Sequence, residues 1–485
     1  MGAAVSVAMF VALLVAFWVP RTPSIGPDTL VLENGAKTAL HCLRSGQLSN
    51  CGRSPEDRAQ APYSLISAVG PFVILQYPVA VGLLELGLSD HQVYRALSLL
   101  SIVAFLGTLL LFSLVPFRLG RAEWAPILVL VFLSGPFLHY GYATWGEMLG
   151  AFFLVAFVAA AVRPSHWLVI ASTAWLAGLT KETAAPFVIA LGVVALLVAG
   201  QTVRSARGRL VGLVLGASLA LVTNALFNVF RYGTVTNQEY LHGYGGHIPA
   251  VPLGQRVINF IGLLGAPNGG IALFWPSAFV LLVAGCVYGM TAAGEGRRNR
   301  LGGVGVALTF VALTAGLASW FAPFGWFAWG PRLMLPWLPP FVLLVAMLYG
   351  DRLLPAVKWL TRSTRSTITT SIAITVAALP QIGVLAAPSV AYELFQPDRS
   401  CPNPTHPAGH GCHNYWAWSK HPVLLDALHG FRSHWGLLLG ATFSLAALSC
   451  LMLARVQSRL PQVDVPRGLD EVKAVRWVPG RRDAG

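Results

Sequence analysis

Apolar residues run through this chain in blocks. Stretches near 3–19, 93–115, 125–138, 147–162, 167–180, 184–200, 210–229, 270–290, 301–321, 333–349, 367–386 and 435–454 carry almost no charge. A membrane-spanning helix needs about 20 mainly apolar residues, somewhat fewer where interfacial residues extend it. The pattern therefore predicts an all-α polytopic membrane protein with about twelve transmembrane helices. The first block has no basic stretch before it and ends on "FWVPRTP", without a small-residue cleavage site, so it is expected to remain as a span.

Charge orients the prediction. With the N-terminus inside, the inner connections are "PFRLGRAEW", "RPSH", "QTVRSARGR", "AGEGRRNR", "DRLLPAVKWLTRSTRST" and the tail from 455, which together hold 20 of the 33 lysines and arginines. Short basic loops of this kind mark the cytoplasmic side. The apolar stretch 62–88 is left over. Crossing the membrane there would turn every later basic loop outward, and Pro71 and Pro78 break a straight helix, so it is expected to lie on or dip into the outer leaflet. Long outer loops follow at 20–92, 230–269 and 387–434. The organisation expected is a catalytic transmembrane core over 1–350, with amphipathic helices in its 20–92 loop, then C-terminal transmembrane helices over 351–454 around the 387–434 loop, and a basic cytoplasmic tail over 455–485.

Composition agrees: 55% of the residues are hydrophobic and 11% charged, against roughly 25% charged in an average soluble domain. The net charge of +14 is scattered between apolar runs rather than gathered in a stripe, which excludes a nucleic-acid surface. Of six cysteines, Cys42 and Cys51 share the first outer loop and Cys401 and Cys412 the last. Two local pairs on the predicted outside suit disulfides in an oxidising compartment, with free thiols as the alternative. His406, His410 and His413 around Cys412 are ligand types for zinc, but a Cys401–Cys412 disulfide would remove the sulfur ligand. His242 and His247 in "HGYGGH" read as loop residues.

Ionisable groups at a membrane are costly and point to function by default. Asp28 and Glu33 follow the first span, Arg95 opens the second, Glu147 opens the fourth in "GYATWGEMLGAFF", Lys181 and Glu182 join the fifth and sixth in "GLTKETAAP", and Arg332 opens the tenth in "FGWFAWGPRLMLPWLPP". All fall at predicted outer helix ends. Singly, each has a plain reading: a first-turn acid for Glu147, a solvated turn for Lys181, snorkelling for Arg332. Together they outline a site able to hold a phosphorylated lipid headgroup.

In order along the chain, these segments resemble the GT-C superfamily of integral membrane glycosyltransferases, in the bacterial branch of protein mannosyltransferase-like and aminoarabinose transferase-like enzymes. The resemblance covers roughly residues 1–350. It rests on the acidic stretch leading into "ALHCLRSGQ", the Tyr-Ser segment "APYSLISAVGP" and the Arg95 after it, the acid of "GYATWGEM", the Thr-Lys turn of "AGLTKET", "GLLGAPNGGIALFWP", and the Trp-Gly-Pro-Arg stretch ending in "PWLP". Many members carry adjacent Asp-Glu in the first outer loop; here Asp28 and Glu33 stand apart.

The resemblance implies inverting transfer of a sugar from a polyprenyl-phosphate carrier, at the outer face of the plasma membrane, to an acceptor glycan, lipid or protein. It makes Glu33, or alternatively Asp28, the base that deprotonates the acceptor. Glu147 would orient the acceptor or hold a divalent cation. Arg332 is expected on the donor phosphate, supported by Arg95 and Lys181, with Trp326, Trp329 and Tyr63 lining the substrate. No Walker A or dinucleotide fingerprint occurs, and a lipid-activated donor needs no nucleotide site. The rival readings are a secondary transporter or lipid-linked-sugar flippase, which would bury its charges near the midplane between repeated halves, and a non-catalytic scaffold, which leaves the cations at span entrances unexplained.

Overall fold

A chain in hydrocarbon must satisfy its own backbone hydrogen bonds, and helices do so within one segment. The computed structural model describes residues 2–21, 27–51, 75–163, 165–181, 184–199, 203–237, 251–291, 297–320, 324, 329–387 and 423–458, and every regular element among them is helical. The first is α1 (Gly2–Trp18), followed by α2 (Pro27–Arg44) and α3 (Gln76–Glu85). Then come α4 (Asp90–Arg118), α5 (Trp124–Leu133), the one-turn α6 (Phe137–Tyr140), α7 (Glu147–Val162), α8 (Trp167–Gly178), α9 (Ala184–Val198) and α10 (Val203–Tyr232). The remainder comprises α11 (Leu253–Gly265), the one-turn α12 (Ile271–Phe274), α13 (Pro276–Thr291), α14 (Arg297–Ala318), α15 (Leu338–Leu360), α16 (Thr364–Ala386), the short α17 (Val423–Ala427) and α18 (His434–Gln457).

Each of the apolar stretches expected from the sequence folds as helix. By length and composition, Asp90–Arg118, Arg207–Tyr232, Arg300–Ala318, Leu335–Leu360, Thr364–Ala386 and His434–Gln457 suffice to cross a membrane; α1, α5, α7, α8, α9 and the Pro276–Tyr288 part of α13 are shorter apolar helices. The chain is an integral membrane protein of the all-α polytopic class.

Several boundaries differ from the sequence expectation: the 125–138 stretch, for one, ends as helix at Leu133 and resumes as the one-turn α6. The helix expected over 333–349 continues to Leu360, because "DRLLPAVKWL" is amphipathic: Leu353 and Leu354 are buried while Asp351, Arg352 and Lys358 are exposed. The 270–290 segment is broken at Trp275 into α12 and α13. Within the 230–269 loop, residues 253–265 form the amphipathic α11, which the sequence reading left as loop; Asn259, Gly262 and Leu263 face inward, and Asn259 donates to the Ala318 carbonyl at 3.1 Å. The leftover 62–88 stretch contains α3, whose ten residues rise only about 15 Å at 1.5 Å each and cannot span the bilayer. The rest of that stretch, Tyr63 included, lies outside the described residues.

Cys42 and Cys51 form the expected disulfide. The loop it closes caps the end of α10: Asn50 and Cys51 donate their backbone amides to the carbonyls of Val229 and Phe230, at 3.2 and 2.7 Å. The Phe230 carbonyl lies in the last turn, where carbonyls run out of partners along the helix, while Val229 also accepts from the Gly233 amide at 2.8 Å. Cys401, Cys412 and the histidines around them are outside the described residues.

One continuous apolar core runs from Phe10 to Leu451. The last helix returns to the first, with Phe443 edge-on to Phe10 at 5.4 Å and Trp435 edge-on to Phe17 at 5.4 Å. Helix pairs in lipid rely on close approach of small residues rather than on a hydrophobic drive. On α10, Gly212 and Gly216 lie against α8 so closely that an added Cβ would meet the carbonyl oxygens of Trp167 and Ala171 at 2.4 and 2.3 Å. Since backbone cannot yield there, Gly216→Val is expected to separate the helices and cost about 1–3 kcal/mol. The check is a lower melting temperature in detergent, whereas Gly208→Ala, with open space around the new methyl, does not lower it.

Helix direction sorts the charges. The starts of α4, α7 and α18 and the ends of α1, α8 and α16 gather at one end of the bundle, linked by contacts such as Ser98 to the Tyr142 carbonyl and Arg21 to the Leu385 carbonyl. At the opposite end, Arg163 feels the charge of Arg118, Arg121 pairs with Asp351 at 2.9 Å, and Arg455 donates to Thr364 at 3.1 Å. The basic connections and the candidate acids thus occupy opposite ends.

Candidate functional site

Two stretches of irregular backbone meet at the non-basic end. The first, 141–146, leads into α7. Its backbone is pinned by Ser98 Oγ donating to the Tyr142 carbonyl at 2.5 Å and by Gln76 Nε2 donating to the Thr144 carbonyl at 3.0 Å. Trp18 stacks on Tyr142, and Gly141 makes room for that indole, which an added Cβ would meet at 2.6 Å.

The second stretch, 329–334, is the "WGPRLM" turn. Gly330 adopts φ +74°, a left-handed conformation open to glycine and costly for other residues, and Arg332 donates its amide back to the Gly330 carbonyl at 2.9 Å. Tyr140 joins the two stretches: its hydroxyl donates to the Trp329 carbonyl at 3.0 Å and accepts from the Trp329 amide at 2.9 Å.

This junction places Arg332 against Glu147. Arg332 Nε donates to Glu147 Oε1 at 2.5 Å, and both residues are 5% exposed. The guanidinium also lies over the Trp145 ring, 4.4 Å from its centroid. Glu147 occupies the first position of α7, where the helix dipole favours a carboxylate. Its other oxygen, Oε2, is buried with no hydrogen-bond partner among the described residues. Glu147 also lines a small pocket with Gly146, Gly150, Thr180, Lys181, Pro336 and Trp337. The pocket thus combines a half-buried lysine, the paired carboxylate and a carboxylate oxygen with unused acceptor capacity. Such a set has the chemistry to hold an anionic group beside a hydroxyl donor.

The structure distributes the other expected residues differently. Glu33 is 7% exposed on α2 and pairs with Lys37, one turn on; the Lys37 ammonium also reaches Asp90 Oδ2 at 2.9 Å. Burial pushes the Glu33 carboxyl above the ordinary glutamate value, the Lys37 hydrogen bond opposes that rise, and Asp90 adds to it. Lys37 is held above the ordinary lysine value by its hydrogen bonds to the two acids. Asp28 falls at the start of the same helix, its side chain outside the described set. Arg95 is exposed on α4.

Trp329 is enclosed by protein rather than open to a ligand. It donates its indole N–H to Gln381 Oε1 at 2.6 Å, and Gln381 donates in turn to the Phe274 carbonyl at 2.7 Å. The indole that meets the arginine is Trp145, which sequence reasoning missed although it stands two residues before Glu147. Trp326, Tyr63 and Glu182 are outside the described residues. Among the described residues, no three His, Cys, Asp or Glu side chains cluster as a metal site.

No protein-family model matches this chain, and no curated protein matches it. Among solved structures, it is similar to ArnT from Cupriavidus metallidurans. The apo crystal structure aligns at 16% identity and a TM-score of 0.45 over 94% of this chain and 78% of that one. The crystal structure bound to undecaprenyl phosphate aligns at 15% identity and a TM-score of 0.45 over 93% and 77%.

Proposed function

We propose that this protein is an integral membrane glycosyltransferase that moves a sugar from a polyprenyl-phosphate donor to a hydroxyl of an envelope glycan, lipid or protein, with inversion, at the extracytoplasmic face. The observation that carries the reading is the buried Arg332–Glu147 pair, whose carboxylate lines, together with Lys181, one pocket at the bundle end opposite the basic connections. The order of the sequence motifs supports it, and the positive-inside rule assigns the pocket end to the outside.

In the reaction, the acceptor oxygen bonds to the anomeric carbon as the bond from that carbon to the phosphate oxygen breaks, and the phosphate leaves with the electron pair. Charge grows on the phosphate, and fixed cations aimed there contribute most to lowering the barrier. Arg332 suits this because guanidinium binds phosphate oxygens bidentately and stays protonated; Lys181, in the lining of the pocket, adds a second cation. Glu147 Oε2 accepts a hydroxyl of the sugar or acceptor. Arg332 already engages Glu147 Oε1, and the two cations neutralise the growing phosphate charge. Glu33 takes the acceptor proton.

The test gives the purified protein a labelled polyprenyl-phosphate sugar and an envelope extract as acceptor source. Glu33→Gln is expected to lower transfer by about 10²–10⁴-fold, the usual contribution of a general base, while Asp28→Asn stays near wild type. The reverse result moves the base to Asp28. Full transfer in both variants removes the base assignment, and solute uptake without a glycosylated product would favour a transporter.

A further inference from the structure

The carboxylate assigned as base is neither free nor bare. Glu33 is buried on α2, the helix whose Leu32, Ala36 and Ala39 form a small apolar cluster with Tyr77 of α3 and Val93 and Leu97 of α4. A carboxyl group in such surroundings tends to hold its proton, and a protonated group cannot act as a base. One turn further along α2, the half-exposed Lys37 bridges Glu33 Oε1 and Asp90 Oδ2. The i,i+4 spacing puts the ammonium over the buried carboxylate. Asp90, in the first turn of α4, supplies the second anchor.

Among the described residues, the other charged groups on the packed elements are engaged elsewhere or exposed: Arg231 of α10, whose Phe227 and Phe230 pack on this cluster, is buried and donates to Asn228 Oδ1 at 2.6 Å. Glu85 of α3 pairs with Arg44 at 2.8 Å, and His41 of α2 and His91 and Arg95 of α4 are exposed.

We propose that Lys37 is the positioning residue of the base: anchored on Asp90, its ammonium keeps the buried Glu33 carboxylate ionised and occupies Oε1, leaving Oε2 to receive the acceptor proton. This rests on Glu33 being the base. Burial and the neighbouring Asp90 both favour the protonated form, and Lys37 is the group that opposes them. As the acceptor proton passes to Oε2, the ammonium keeps its charge and loses part of its attraction. The Lys37–Asp90 contact then holds the lysine in place for the next turnover.

The two flanking residues act on Glu33 with opposite sign, and the test exploits this. Transfer is measured across pH for wild type, Lys37→Met, Lys37→Arg and Asp90→Asn. Removing a cation within hydrogen-bond reach of a carboxylate raises its pKa by about 1–3 units, so Lys37→Met is expected to move the acid limb of the profile upward by at least about one pH unit. The rate at the acidic end falls tenfold or more, since each unit of pKa is about a tenfold change in the equilibrium, and recovers at high pH. Lys37→Arg keeps the limb near wild type, and Asp90→Asn moves it downward.

A purely structural role predicts a rate lowered evenly across pH, or a limb that shifts the same way in both variants; either result overturns the proposal. Glu33→Gln is the control that separates the two layers. Full activity there removes the base assignment itself, whereas an inactive Glu33→Gln with an unmoved limb in Lys37→Met removes only the role of Lys37. An activity-free readout is the pH at which the carboxylic-acid C=O stretch of Glu33 appears in infrared difference spectra against Glu33→Gln. If Lys37→Met does not fold, Lys37→Gln carries the same comparison.

Discussion

Arg332→Met is expected to lose at least about 100-fold in transfer, the scale of removing one preorganised donor from a developing oxyanion, and to destabilise the protein by about 3–5 kcal/mol, because it strands Glu147 as a buried, uncompensated charge. Glu147→Met is expected to do the same from the other side, leaving the guanidinium over Trp145 without its carboxylate. The double variant separates stability from chemistry. Well-packed apolar residues in place of a buried ion pair are often neutral or stabilising, so Arg332→Met with Glu147→Met should regain most of the melting temperature while transfer stays lost. A double-mutant cycle in detergent melts, with transfer assayed on the same samples, provides both numbers. A pair that merely staples α7 to the 329–334 turn predicts the opposite, activity returning with stability. Arg332→Lys is expected to keep the charge but not the two-pronged contact, and to recover only part of the rate.

The pair also shows which parts of this molecule can be read from its sequence. Helices were legible because a long apolar run has few alternatives in lipid, and the charge bias of the connections placed Glu147, Lys181 and Arg332 at helix ends on one side. The pairing of residues 147 and 332 was not legible: it depends on Tyr140 clamping the Trp329 backbone and on the left-handed turn at Gly330. Neither leaves a periodic signal. Lys37 was available in principle, since an acid and a lysine four apart on one helix face each other, but its second partner Asp90 lies 53 residues away and required the fold. Trp329 illustrates the converse. An aromatic collar beside an arginine suggests stacking on a sugar, yet this indole is spent on Gln381 inside the protein, and the quieter Trp145 meets the cation. The extension of α15 through residues 351–360 was missed for a related reason: charges read as loop when their apolar neighbours are not placed on a helical face.

The second large effect concerns His139, which lies one residue before the clamp tyrosine. It is 1% exposed, and neither ring nitrogen has a hydrogen-bond partner among the described residues. Its ring stands edge-on to Tyr140, Tyr142 and Trp145, at 5.1, 6.1 and 6.3 Å between centroids. Desolvation pushes the imidazole down to about 4, so the folded protein keeps it neutral. The unfolded chain binds the proton below the ordinary histidine value of about 6.5. Between those two pH values the unfolded state holds more protons than the fold, so stability falls as pH drops through the window and levels off below it. At about 1.4 kcal/mol per pH unit, the loss is on the order of 3 kcal/mol. His139→Phe keeps the edge-on aromatic contacts, removes the titration and abolishes two orphaned polar atoms, whose desolvation costs about 1–3 kcal/mol each. It is therefore expected to melt higher than wild type at neutral pH and to lose the wild-type decline between pH 6.5 and 4. Melting curves at half-unit pH intervals check both parts, and a wild-type curve flat across that window would show that the imidazole takes up its proton as readily inside the fold as outside it.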